Sequence, residues 1–599
     1  MTIRTGWMGA ALAALWVLSH APVSAQQAAD AVAPEGAGAG ELTISPEVTA
    51  AQQAKAAGRV VSARDWMVAV ANPHAAVAGA RVLRAGGTAA DAMVAVQAVL
   101  GLVEPQSSGL GGGAFLLWYD AQSGALTTLD GRETAPLAAT PTLFHDADGE
   151  PLGFFEAVVG GLSVGTPGTP ALMRAAHDRW GRLPWPGLFD DAIGLAEDGF
   201  AVSPRLAGLV ARDAARLAVH PETARYFLPG GTPLTRGEML RNPAYAETLR
   251  LIARQGTEAF YTGPLAQDIV SAVRGAARPG LLSARDLEIY AVKQRAPVCV
   301  SYRGHEVCGM GPPSSGGLTV GQILGLLRAH DLAALGPRSA RAWRLIGDAS
   351  RLAFADRGRY MADSDFVPVP LEGLLAPDYL ARRAGLLAGD AALAQVAPGA
   401  PDFDHAGLWG PGETLSQPAT SHISIVDGYG NALSMTTTIE NAFGSRVMVR
   451  GMLLNNELTD FSFRSHRQGR PVANAVAPGK RPRSSMAPTI VMRDGAPVLV
   501  LGSPGGSRII GYVTQALIAH LDWGMDVQQA AAMGHLVNRY GIFDIERGTG
   551  AEALAAPLAD LGYTLERRAM TSGLHLIAVT PDGLRGGADP RREGVALGQ

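Results

Sequence analysis

Thr420 and Thr438 have the types and the spacing to do chemistry together. The residues between them alternate in character on either side of Gly428-Tyr429-Gly430, and read as strands 420–427 and 431–439. A hairpin centred on Tyr429 pairs Asp427 with Asn431 and therefore sets Thr420 opposite Thr438. A hydroxyl at the head of a strand, with a second hydroxyl across the ladder, makes a nucleophile and its partner. Thr420 has no base beside it in the sequence. Cutting the chain before Thr420 supplies one, because the new α-amine can take the hydroxyl proton. That amine titrates at about 7.7–8.0 when unperturbed, so it can act as base and then as acid.

Other motifs are ambiguous one at a time. Gly502-Ser-Pro-Gly-Gly-Ser507 follows the apolar run 498–501, where adjacent glycines let backbone N–H groups converge as an oxyanion hole or simply turn the chain. Asn455-Asn-Glu457-Leu-Thr-Asp460 follows the apolar strand 451–454, and Pro482-Arg-Ser484-Ser485 precedes another; each alone reads as a solvated turn. Gly161-Leu-Ser163-Val-Gly165 matches the nucleophile elbow of serine α/β-hydrolases, with Ser163 as nucleophile. An elbow must feed straight into a helix, however, and Thr166-Pro-Gly-Thr-Pro170 intervenes. Ser108-Gly-Leu-Gly-Gly-Gly-Ala114 has the spacing of a dinucleotide loop but runs from helix to strand, the reverse of what that loop requires. It reads as a tight turn.

The elements that must hold these residues alternate along the chain. Strand-like runs at 67–71 and 113–119 alternate with helical ones at 87–103 and 170–180; 183–290 is mostly helical; helices follow at 318–329 and 341–360. Residues 385–418 are rich in Ala, Gly and Pro and end as an exposed loop directly before Thr420. Strands then dominate at 420–439, 450–455, 488–493 and 497–501, with helices near 514–521 and 527–533. This order suggests helices packed on antiparallel sheets rather than a parallel βαβ array. The two cysteines, Cys299 and Cys308, face each other if Arg303-Gly304 is a two-residue hairpin loop. They form either a disulfide or two buried thiols; without a nearby His cluster they make no zinc site.

The chain has 599 residues, 47% of them hydrophobic and 17% charged, which excludes a disordered protein. Its 50 basic and 54 acidic side chains nearly cancel, so no global field points to nucleic acid or an anionic membrane. A small-molecule partner is the better expectation. Arg4, the apolar run 7–18 and Val23-Ser24-Ala25 form a secretory signal peptide, residues 1–25, cut after Ala25. The protein is therefore expected to be exported, periplasmic or secreted, with no membrane span once the signal is removed. Residues 26–57, without aromatics and rich in Ala, Gly, Glu and Gln, read as a flexible lead-in.

Taken together the motifs resemble the γ-glutamyltranspeptidases (glutathione hydrolases), N-terminal nucleophile enzymes that activate themselves by cleavage. The resemblance covers nearly the whole chain after the lead-in. It runs through 68–74, 102–109, Asp130-Gly-Arg-Glu133, 311–317, Ala355-Asp-Arg357, 371–375, Thr420-Ser-His422, Leu454-Asn-Asn-Glu457, 481–486, 502–506 and Ala588-Asp-Pro-Arg591. It implies an α+β fold, a four-layer αββα sandwich of the N-terminal nucleophile hydrolase type. It implies cleavage between Ala419 and Thr420 into a large subunit, 58–419 after the lead-in, and a small one, 420–599, that form one unit. In that frame Thr420 is the nucleophile, Thr438 its hydroxyl partner, and Gly505 with Gly506 the oxyanion hole. Arg132, helped by Ser484 and Ser485, matches the clamp for a substrate α-carboxylate; Asp460, with Glu457 and Glu440, would hold the α-ammonium. The implied donor is glutathione or a related γ-glutamyl amide, the acceptor water, an amino acid or a peptide, and no metal or organic cofactor is needed.

Two features depart from some members of that family. Glu440 and Glu457 stand where some have Asn and Gln, a pairing that also resembles the cephalosporin (glutaryl) acylases. The segment from Asp460 to Ser484 looks shorter than a long lid loop, which predicts a relatively open pocket. A glutaryl acylase is thus the near alternative, and a Ser163 esterase the distant one.

Overall fold

The computed structural model describes residues 44–404, 408–412 and 419–599. The signal peptide expected at 1–25 lies outside these residues, as does much of the loop before Ala419. No helix among the described residues is long and apolar enough to cross a membrane.

The lead-in needs one correction, because it stops being a linker at residue 46. Pro46–Ala56 is a helix whose first turn is capped by the Ser45 hydroxyl, which accepts from the Val48 N–H. Lys55 near its end donates to the carbonyls of Arg592 and Gly594 at 2.9 and 2.6 Å. Ala, Gln and Lys are good helix formers, and the Ser-Pro start supplies the cap that a composition argument overlooks.

Two seven-stranded sheets organise the chain, and every strand pair in them is antiparallel. The first runs in the order Val595–Gly598, Met67–Val70, Ser421–Val426, Ala432–Thr438, Gly113–Tyr119, Leu126–Gly131, Lys293–Arg295. The second runs Val61–Ala63, Gly583–Ala588, His575–Thr580, Ala496–Gly502, Thr489–Arg493, His305–Gly309, Val298–Tyr302. Both sheets interleave strands from before and after Thr420, so a break at that point leaves the two parts joined by sheet hydrogen bonds.

Period-2 alternation explains why strands that are buried on both faces are not uniformly apolar. Val68, Val70, Ile423, Ile425, Leu433 and Met435 pack against the helices Pro73–Arg84 and Ala89–Val103. Met67, Ala69, Phe115 and Leu117 belong to a second core with Ile490, Val500 and Leu576 of the other sheet, and with helices Gly316–Leu327 and Ile509–Leu521. Midway along the hairpin of Ser421–Val426 and Ala432–Thr438 that interface turns polar. Ser424 Oγ donates to the His575 carbonyl and Ser434 Oγ to the Leu501 carbonyl, each at 3.0 Å. Buried hydroxyls thus tie the two sheets together midway along the Thr420 hairpin.

The cysteine hairpin has the register expected of it. Tyr302 pairs with His305, Arg303 and Gly304 form the loop with φ of 50° and 75°, and Cys299 faces Cys308, to which it is joined by a disulfide. Replacing both cysteines by serine is expected to cost about 2–3 kcal/mol, the loop-closure value for so short a ring. The check is a lower denaturation midpoint with unchanged chain cleavage.

Candidate active site

Thr420 immediately precedes the strand Ser421–Val426, and the hairpin register there runs from Ser421 opposite Thr437 to Val426 opposite Ala432. Continuing it by one step puts Thr420 against Thr438, and the two hydroxyls lie 3.2 Å apart. Both also address the preceding carbonyl: Thr438 Oγ1 donates to Ala419 O at 2.9 Å, and Thr420 Oγ1 donates to the same oxygen. The Glu440 N–H in turn donates to Thr438 Oγ1 at 2.9 Å, which fixes the Thr438 proton toward Ala419. That return contact needs the left-handed φ of 75° at Glu440, an uncommon backbone for a non-glycine residue. Its carboxylate is held by Asn456 Nδ2 at 2.5 Å.

The strand end is braced from the other side by the turn at 108–112. A side chain on Gly112 would put its Cβ 1.9 Å from the Thr438 carbonyl oxygen, so this turn works by close backbone approach and not as a nucleotide loop.

His422 shares a strand face with Thr420 but cannot be its base. Its Nδ1 is engaged by Thr436 Oγ1 at 2.9 Å and its Nε2 by Ser424 Oγ at 3.0 Å, and burial holds it well below the usual histidine value. The main-chain nitrogen of Thr420 itself is tied up in the bond to Ala419.

Thr420, Thr438, Glu440, Arg132, Glu457, Asp460, Ser484, Ser485 and Gly506 line a single pocket, with Met486 and Ile509. Nine of the ten residues expected at the site are therefore brought together from loops far apart in sequence. The tenth, Gly505, adjoins Gly506 in the turn that leads from strand Ala496–Gly502 into helix Ile509–Leu521. A Cβ on Gly505 would fall 2.6 Å from the Tyr512 ring at a φ of 138°, so only glycine fits. Neither glycine N–H has an acceptor among the described residues, and the helix start adds partial positive charge at that point. The pocket is narrower than the short segment after Asp460 suggests: Thr420 is only 4% exposed, and the cavity volume is about 20 Å³.

The charge arrangement differs from the expected division of labour. Arg132, at the end of strand Leu126–Gly131, meets Glu457 through Nη1 and Asp460 through Nη2, the latter at 2.5 Å. It also donates to the Pro482 and Arg483 carbonyls, each at 3.2 Å. The expected carboxylate clamp is thus already paired with two residues expected to hold an ammonium. Glu133, a third buried carboxylate, lies 4.0 Å from Arg132. One guanidinium cannot neutralise three carboxylates. Burial and repulsion from Glu457 push Glu133 well above the ordinary carboxylate value; burial alone raises Asp460, against the pull of Arg132, Arg357 and Arg483; and burial, opposed by Arg132 but aided by Asp460, takes Glu457 up to about 7. The pocket therefore has an excess of carboxylate that a substrate cation would balance.

Two arginines complete the site and were not singled out by residue-level reasoning. Arg357 donates through Nη2 to Ser485 Oγ at 2.6 Å and through Nε to Ser315 Oγ at 2.7 Å. With its oxygen accepting from Arg357, the Ser485 hydroxyl has its own proton available to the pocket. Arg592 donates through Nη1 to the Thr420 carbonyl at 3.0 Å. Both lie in or beside quoted motifs, Ala355-Asp-Arg357 and Ala588-Asp-Pro-Arg591, and that proximity was the available signal.

Ser163 is no nucleophile in this fold. It is buried in the short turn Gly161–Ser163, no strand leads into it, and its hydroxyl donates to the Val158 carbonyl at 2.8 Å.

The sequence model described as Gamma-glutamyltranspeptidase matches residues 75–599. The chain is 37% identical over 547 residues to a glutathione hydrolase proenzyme of Bacillus subtilis, covering 89% of this chain and 92% of that one. Among solved structures it is similar to a cephalosporin acylase from Bacillus halodurans, with a TM-score of 0.79 and 27% identity over 90% of this chain and 97% of that one. It is also similar to the γ-glutamyltranspeptidase of Helicobacter pylori, with a TM-score of 0.53 and 36% identity over 55% of this chain and 94% of that one. A family match over this length, with relatives this similar along nearly the whole chain, shows that the chain belongs to the γ-glutamyltranspeptidase family.

Proposed function

We propose that this protein is an exported, self-processing glutathione hydrolase and γ-glutamyltransferase, with a four-layer αββα arrangement and no metal or organic cofactor. The observation that carries the reading is the position of Thr420 Oγ1, between the Ala419 carbonyl and the Thr438 hydroxyl at the wall of a carboxylate-rich pocket. In the precursor Thr420 Oγ attacks the Ala419 carbonyl carbon while Thr438 polarises its oxygen. The Thr420 nitrogen leaves as the acyl group shifts to oxygen, and water then frees the Ala419 carboxylate. The products are the large subunit, whose 58–419 body keeps the preceding segment with helix Pro46–Ala56, and the small subunit, 420–599.

The exposed α-amine then serves as base. Thr420 Oγ attacks the γ-carbonyl of glutathione or a similar amide, its proton passing to the amine, and the Gly505 and Gly506 N–H groups hold the oxyanion. Collapse expels the leaving amine with that proton. The γ-glutamyl ester is released by water or by the amine of an amino acid or peptide. Asp460, Glu457 and Glu440 receive the substrate ammonium. Ser484 and Ser485, backed by Arg357, receive its α-carboxylate together with Arg132, whose guanidinium must turn from one of its carboxylate partners to do so.

Similarity to a cephalosporin acylase favours one second reading, a glutaryl amidase. A γ-glutamyl anilide and a glutaryl anilide differ by the ammonium alone. The proposed function predicts a strong preference for the γ-glutamyl anilide, lost in Asp460→Ala; equal or better turnover of the glutaryl anilide would reassign the substrate.

The carboxylate cluster also sets a pH dependence. Glu457 is neutral below its raised value of about 7 and charged above it. KM for a γ-glutamyl donor is therefore expected to rise as pH falls through about 7, and Glu457→Gln to flatten that dependence while raising KM on the alkaline side. Initial rates across pH, separated into kcat and KM, provide the check.

A further inference from the structure

Arg592 reaches the nucleophile's own main chain. Its Nη1 donates to the Thr420 carbonyl at 3.0 Å, and the residue is fully buried. We propose that Arg592 is a positioning residue for the mature nucleophile: it pins the Thr420 main chain and, as a fixed cation beside the α-nitrogen, keeps the freed amine neutral at working pH. The inference rests on the reading of Thr420 as an N-terminal nucleophile and deepens it.

The distance follows from covalent geometry. Nitrogen and carbonyl oxygen of one residue are at most about 3.6 Å apart, so the guanidinium nitrogen lies within about 7 Å of the Thr420 α-nitrogen. An α-amine left to itself titrates at about 7.7–8.0 and is mostly protonated at neutral pH, where it cannot accept the Thr420 proton. A like charge this close, in a buried site, disfavours the ammonium by about one pH unit or more.

The neighbouring charges leave that effect standing. On the C-terminal segment Asp589 is paired with Arg591 at 3.0 Å, and Glu593 accepts the Arg205 N–H at 3.0 Å. Glu104, beyond helix Ala89–Val103, accepts from Ser421 Oγ at 3.5 Å and is matched by Arg205 at 3.8 Å. His575, lowered to about 3 by burial with Lys55 and Arg592 adding to it, is neutral, as is His422. On the pocket side stand the carboxylates Glu440, Glu457 and Asp460, offset in part by Arg132 and further by a bound substrate ammonium. Arg592 is the charge in contact with Thr420 itself. Its position is held by Lys55, which burial lowers to about 8 and which grips the carbonyls of Arg592 and Gly594. The helix Pro46–Ala56 thus buttresses the nucleophile from the far end of the chain.

The test is the pH profile of the acylation rate at saturating γ-glutamyl anilide, where the bound ammonium keeps Glu457 ionised and the acid limb reports the amine. Mature Arg592→Gln is expected to show that limb moved upward by about one pH unit, with the alkaline plateau reduced less than the neutral rate. Arg592→Lys, which keeps a cation, should stay near the wild-type limb. A wild-type limb in cut Arg592→Gln, or a fall by one factor at every pH, overturns the inference. Should Arg592→Gln remain uncut, Lys55→Met decides: an upward limb supports the inference and an unmoved limb overturns it. These outcomes are separate from failure of the proposed function, which a cleaved and active Thr420→Ala protein would announce.

Discussion

Thr420→Ala is expected to leave one uncut chain with no measurable γ-glutamyl transfer. On the proposed mechanism the substitution removes the oxygen that attacks the Ala419 carbonyl, and with it the later nucleophile, so precursor and enzyme fail together. Loss of a nucleophile costs about 10⁴-fold or more in turnover. Thr420→Ser keeps the oxygen and should still cut, though more slowly, because its hydroxyl rotates more freely than that of a β-branched residue. Thr438→Ala should accumulate precursor as well, since Thr438 Oγ1 supplies the 2.9 Å hydrogen bond that polarises the Ala419 carbonyl. A gel of purified protein against time, with activity measured on the same samples, separates these cases. Normal cleavage of Thr438→Ala would mean that the shared carbonyl contact has no part in processing.

The second large effect is expected at Arg132. Arg132→Gln leaves Glu457 and Asp460, and Glu133 behind them, buried without their counter-charge. Breaking a buried ion pair in this way costs about 3–5 kcal/mol, and the carboxylates respond by taking up protons. The denaturation midpoint should fall, most strongly on the alkaline side where those groups are forced to ionise. Donor KM should rise by about 10–100-fold, the equivalent of a lost charge-assisted hydrogen bond. Arg132→Lys keeps the charge but not the planar fork that spans two carboxylates, and should fall between. An Arg132→Gln protein with wild-type KM would show that this guanidinium is purely structural.

The candidate site was legible in the sequence wherever a local rule governed it. The Thr420–Thr438 pairing follows from strand period and turn position alone, and so does the facing of Cys299 and Cys308 across Arg303-Gly304. The sheets' antiparallel character followed from the order of elements, while their strand order did not, because pairing Val595–Gly598 with Met67–Val70 is a matter of tertiary contact. The expected strand at 450–455 is only Met452–Leu453, paired with Met448–Val449, since the chain turns through Arg450 and Gly451 at positive φ.

Charge bookkeeping was the least legible layer. The family resemblance implied separate clamps for carboxylate at Arg132 and for ammonium at Glu457 and Asp460, but burial places the three in one cluster of ion pairs. Arg592 acts on a carbonyl and Arg357 on a hydroxyl, partners that leave no mark on sequence spacing. The helix at Pro46–Ala56 was hidden for a different reason: its composition resembles a linker, and only its Ser-Pro cap and the Lys55 contacts give it away.

The most direct measurement of the central claim is N-terminal sequencing of the smaller band from purified protein on a denaturing gel. The account predicts two bands of roughly 41 and 19 kDa, from the mean residue mass of the chain, with the smaller one beginning Thr420-Ser421-His422. An active protein that runs as one uncut chain, or a small band that begins at any other residue, would contradict it.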